Sequence, residues 1–127
     1  MEKVKFRAED NLILQKSYDF SLSVIELYKF LIEYKKEYVL SKQLLRTGTS
    51  IGANVNEAQA GMSKKDFVAK MSIASKEARE TKYWLSLLVD GGYISKTDNT
   101  VQDLFEEIES IINILTKIVK TGASNEK

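Results

Sequence analysis

Apolar side chains recur at intervals of three and four residues over almost the whole chain, so the elements they predict are helices. Gly48, Gly52, Gly61, Gly91, Gly92 and Gly122 fall mostly where one such run stops and the next begins. A first helix is expected from about Asp10 to Lys36, ending at the charged Lys35-Lys36-Glu37 step, and a second from about Leu40 to Ala58. Ser63-Lys64-Lys65-Asp66 resembles a capping box with a shortened acid, which starts a third helix that ends at Gly91-Gly92. Asp98 or Asn99 caps a fourth helix through about Lys120, with Asp103, Glu106 and Glu107 early and Lys117 and Lys120 late, as the helix dipole favours. Four helices with short connections predict an all-α protein, an antiparallel up-down-up-down four-helix bundle. The expected organisation is an N-terminal segment 1–9, one bundle domain 10–120 and a disordered tail 121–127.

The faces of these helices differ. On the fourth helix the apolar positions from Val101 to Val119 share one side, as a bundle helix requires. The first helix carries two stripes about 120° apart at 100° per residue. One holds Leu14, Tyr18, Leu22, Ile25 and Ile32, and the other Ile13, Phe20, Val24, Leu27, Leu31 and Tyr34. Either the core face is broad, with some aliphatics left exposed, or one stripe meets another subunit; the second set is assigned here to an oligomer interface. The second helix stacks Gln43, Arg46, Ser50, Asn54 and Glu57 in one seam, although Ser and Asn are poor formers of helix interior. Beside a core stripe such a seam reads as a buried polar network, in which Arg46 pairs with Glu57 or with an acid of the third helix; a ligand, RNA or partner site is the alternative.

Composition narrows the chemistry. The 127 residues suffice for one domain that buries about two-thirds of its unfolded surface, so no metal or disulfide is needed for stability. Histidine, cysteine and proline are absent, which removes imidazole bases, thiolate nucleophiles, Cys/His zinc sites and the Glu-x-x-His motif of di-iron bundles. Glu57, Glu77 and Glu80 alone are weak grounds for a cation site, and neither a nucleophile elbow nor a phosphate-binding glycine loop is present. No enzymatic activity and no cofactor are expected. The net charge of +1 hides an asymmetry: Lys35 to Lys82 holds ten basic and five acidic residues, Asp90 to Glu109 one basic and six acidic. Lys64, Lys65, Lys76, Arg79 and Lys82 share one side of the third helix with Tyr83 among them, a stripe suited either to a phosphate backbone or simply to solvent. No apolar run is long enough to span a membrane, and the charged N-terminal ten residues do not resemble a signal peptide, so a cytoplasmic protein without membrane contact is expected.

The segment Gln43-Leu44-Leu45-Arg46-Thr47-Gly48-Thr49-Ser50-Ile51-Gly52-Ala53-Asn54-Val55-Asn56-Glu57 is followed by Ser63-Lys64-Lys65-Asp66-Phe67, by Glu77-Ala78-Arg79-Glu80-Thr81 and by Trp84-Leu85. Together they resemble bacterial four-helix-bundle proteins of the 23S rRNA-intervening-sequence type, over about residues 10–120. Leu45 stands where a second arginine is frequent in that family, and Ala58 where glycine is frequent. The resemblance implies a homopentamer. It also implies kinship with the accessory variability determinant of diversity-generating retroelements, which binds nucleic acid and a reverse transcriptase. The expected function is therefore that of a non-enzymatic oligomer that binds RNA, DNA or a reverse-transcriptase-like protein through its basic face. The alternative is a structural or protein-interaction scaffold that binds no nucleic acid.

Overall fold

The computed structural model of the chain describes residues 8–60 and 63–125. Four helices follow in order: α1 (Ala8–Tyr34), α2 (Leu40–Ala58), α3 (Lys64–Asp90) and α4 (Asn99–Asn125), with no strand among the described residues. Each packs on its neighbours in sequence, and α4 closes back on α1. Cross-helix pairs show the directions. Gly48 lies against Val24 and Gly52 against Ser17; Arg46 reaches Glu80 and Glu57 reaches Lys70; Lys82 reaches Glu109 and Arg79 reaches Thr116. In every seam the numbers fall on one helix as they rise on the other, so neighbouring helices are antiparallel.

The caps are local chemistry. Ser63 Oγ accepts from Asp66 N at 3.2 Å, and Asp98 Oδ1 accepts from Thr100 N at 2.8 Å and Val101 N at 3.3 Å, which places the last two helix starts where the sequence marks them. At the α1–α2 turn Lys36 takes a positive φ of 54°, and the buried Glu37 folds its carboxylate onto the amides of Val39, Leu40 and Ser41 at 3.1, 3.0 and 2.6 Å. Burial by itself raises the Glu37 pKa, but those three amide hydrogen bonds outweigh it and hold the carboxyl below its ordinary value.

Two expectations change. The fourth helix continues past Lys120 to Asn125, so residues 121–125 are helical rather than disordered, while 126 and 127 lie outside the described residues, as do 1–7. Gly122 explains the extension: a Cβ there would sit 2.5 Å from Val68 Cγ2, so glycine lets α3 and α4 stay packed to the end. The larger correction concerns α1. Ile13, Phe20, Val24, Leu27 and Leu31, assigned to an oligomer interface, form the protomer's own core, and Tyr34 is 69% exposed. With Ser17, which is fully buried, the core stripe has spacings of four and three throughout, the repeat that keeps one seam facing a bundle interior. The α1–α2 contact favours a small residue at position 52, because a Cβ there would lie 3.3 Å from the Ser17 carbonyl oxygen.

Candidate functional site

Three surfaces carry the candidate residues. The first is the α2–α3 groove, which holds the polar seam. Arg46 Nη2 donates to Gln43 Oε1 at 3.0 Å and to Glu80 Oε2 at 2.8 Å, and Trp84 Nε1 donates to the same Glu80 oxygen at 3.2 Å. Glu77 adds a looser pair with Arg46 at 3.9 Å. Asn54 Nδ2 donates to the Ser50 carbonyl at 2.8 Å, and Glu57 accepts from Lys70 Nζ at 3.1 Å. The seam is therefore three separate groups instead of one network, and Arg46 and Glu57 do not meet. Nor are they buried, since the Arg46 side chain is 57% exposed and that of Glu57 56%. At 100° per residue both lie about 120–140° from Ile51 at the centre of the buried face, so their long side chains reach over the groove. Truncating Glu57 strands no buried arginine, and its half-exposed pair with Lys70 is worth under about 1 kcal/mol. Beneath the groove lies a contact absent from the seam as read in the sequence: the hydroxyls of Thr47 and Thr81, both fully buried, meet at 2.9 Å.

The second surface is the basic side of α3. Lys64, Lys65, Lys76, Arg79 and Lys82 are all exposed, but not equivalent. Lys82 pairs with Glu109 and Arg79 donates to Thr116 Oγ1 at 2.9 Å, so these two lean onto α4. Lys64, Lys65 and Lys76 have no ion-pair partner among the described residues. Lys65, Lys76 and Tyr83 fall on the outward side of the helix, with Tyr83 56% exposed.

The third surface is the stripe of α1 that the core leaves out. Tyr18 is 63% exposed and Leu22 49%, with Leu14 and Ile25 partly covered. Leu14, Tyr18, Leu22 and Ile25 line an open groove whose other wall is Thr49, Gly52, Ala53 and Asn56 of α2. No group of three or more Asp or Glu side chains among the described residues is placed to hold a metal, and no described helix is long and apolar enough to cross a membrane.

Comparison with known proteins follows the same lines. The family model described as "23S rRNA-intervening sequence protein" matches residues 9–117. A crystal structure from Bacteroides thetaiotaomicron VPI-5482, described as a protein with unknown function from the S23 ribosomal protein family, is 44% identical, with 88% of this chain and 98% of that one covered and a TM-score of 0.83. No curated protein matches.

Proposed function

The chain belongs to the 23S rRNA-intervening sequence protein family, and from that premise we propose that it works as a non-enzymatic, self-assembling four-helix bundle that binds nucleic acid. The observation that carries the reading is the apolar stripe left outside the core, with Tyr18 and Leu22 exposed over the α1–α2 groove. The occupant is a second copy of the chain. Covering a few hundred Å² of such surface contributes on the order of 5–10 kcal/mol before association costs, enough for a persistent assembly. A stripe on α1 that seats against a different surface of its neighbour closes a ring, and a homopentamer is the form the family resemblance suggests. The exposed lysines Lys64, Lys65 and Lys76, which have no ion-pair partner among the described residues, then recur around the ring and offer phosphate contacts.

Sedimentation equilibrium tests the assembly. Wild type should sediment as an oligomer at micromolar concentration, and Tyr18→Glu with Leu22→Glu as a folded monomer. A monomeric wild type, or an oligomer indifferent to both substitutions, overturns it. A second reading, a protein scaffold without nucleic acid, is favoured by the engagement of Lys82 and Arg79 with α4, which leaves less of the basic stripe free. Absence of RNA binding even at about 50 mM salt, where phosphate contacts are strongest, would select it.

A further inference from the structure

One end of the bundle, where α1 turns into α2 and α3 into α4, displays aromatic rings beside lysines. Phe30 and Tyr34 lie one helical turn apart with ring centroids 5.7 Å from each other, and both are exposed. Lys35 Nζ sits 5.8 Å from the Phe30 ring centre. In the adjoining turn Tyr38 and Val39 are exposed, flanked by the exposed Lys36 and Lys42. This turn is held firmly, because the Glu37 carboxylate binds three successive amides directly behind Tyr38. Phe30 and Lys35 also border a cleft of about 540 Å³ between α1 and the start of α4. Its floor is Leu27, Ile94, Val101 and Leu104, and its size lies in the range that takes small ring systems.

Rings that are exposed, rigid and paired are a poor arrangement for a solvent face and a good one for stacking. The acids nearby are largely engaged. Glu37 is bound to the start of α2 and Asp98 to the start of α4, and Glu26 lies 3.7 Å from Lys29. Glu26 and Asp98 line the cleft beside Lys35, so the cleft suits a neutral base, while Lys35, Lys36 and Lys42, with only Glu33 unengaged among the described acids of the last turn of α1 and the loop after it, give a phosphate chain its cationic contacts along the turn. We propose that this end of the bundle is a stacking platform for single-stranded nucleic acid, with bases on Phe30 and Tyr34 and in the adjoining cleft, and phosphates on Lys35, Lys36 and Lys42. The inference rests on the reading that the chain binds nucleic acid, and it adds the form of the strand and the place where bases are held. A duplex keeps its bases stacked on one another and cannot use the rings. Stacking also tolerates any base sequence, because every base has a π-face.

The test is fluorescence anisotropy of the full chain with a labelled uridine oligomer and a labelled mixed-sequence RNA duplex, each of about 16 nucleotides, the upper end of site sizes for such platforms. The single strand should bind more tightly than the duplex. Phe30→Ala and Tyr34→Ala should each weaken single-strand binding at least about fivefold, the lower end of a stacked base, with the salt slope unchanged. Tyr34→Phe, which keeps the ring, should bind as wild type does. Lys35→Gln with Lys36→Gln should flatten the slope of log affinity against log salt by about 1.4, the single-strand increment for two phosphates. Emission of Trp84, on a different helix from Phe30, Tyr34, Lys35 and Lys36, reports that those variants are folded. Equal binding of both forms, or single-strand binding unaffected by the alanine variants, overturns the platform. If Lys64→Gln, Lys65→Gln and Lys76→Gln together abolish binding in that case, the broader nucleic-acid reading survives. Neither form binding overturns both.

Discussion

Glu37 shows how much one side chain contributes that no periodicity reveals. It follows the end of α1 and was expected only to mark a charged stop, yet it is buried and caps α2 through three amides. Sequence reading looks for Ser, Thr, Asp or Asn immediately before a helix, and a longer acid reaching back from a turn escapes that rule. Glu37→Gln should lower stability by about 1–2 kcal/mol at neutral pH, as loss of a charge-assisted cap does, measured by urea unfolding. Because the folded-state pKa is depressed, the stabilisation is fully present above the unfolded value, near 4.5, and is lost as pH falls through the folded one. The difference between wild type and variant should thus be constant above about pH 5.5 and shrink below pH 4.5. Gly48 is a second such position. A Cβ there would lie 2.8 Å from Val24 Cγ2, so Gly48→Ala, which gains helix propensity, should still destabilise by about 1–2 kcal/mol through overpacking at the α1–α2 crossing. A thermal melt of the alanine variant above that of wild type would contradict the close approach.

Between elements, the ambiguity of α1 is instructive. Both of its stripes are apolar and helically spaced, and the helix buries one of them. The signals that separate them were present: the unbroken four-three rhythm from Ile13 to Leu31 once Ser17 is admitted, and the phenol of Tyr18, which favours an edge with water. Ser17 obscured the rhythm, because a serine reads as a break in a core stripe until the glycine opposite it is known. The two faces should respond differently to charge. Leu31→Glu places an unpaired carboxylate in the core and should unfold the protomer, costing several kcal/mol, whereas Leu22→Glu should leave the helical circular dichroism intact and act on assembly alone. The α2 seam teaches the converse lesson. Its spacing was legible and Arg46 does reach an acid of α3, but which acid, and that Glu57 turns to Lys70, depends on how α3 is set along α2.

Across the assembled bundle, the acidic later part of the chain is met by lysines of both neighbouring helices. Lys82 pairs with Glu109 across α3–α4, and Lys16 with Glu107 across α1–α4 at 3.1 Å. Part of the charge asymmetry is thus spent on matching antiparallel neighbours, and its free remainder on α3 lies at Lys64, Lys65 and Lys76. Neutralising those three should flatten the salt slope of duplex binding by about 2–3 units, while Lys82→Gln should leave it nearly unchanged. An equal effect of Lys82→Gln would place the contact on the α4 side instead. Helix number, three of the four starts, the bundle class and the family were all readable from residues, because capping, turn chemistry and a 3.6-residue period act within a few positions of one another. The inward stripe of α1, the partners of Arg46 and Glu57 and the outward set of lysines were settled by contacts between residues more than ten positions apart. Those contacts depend on the rotation and offset of whole helices, which close packing around Gly48, Gly52 and Gly122 selects and which no single helix encodes.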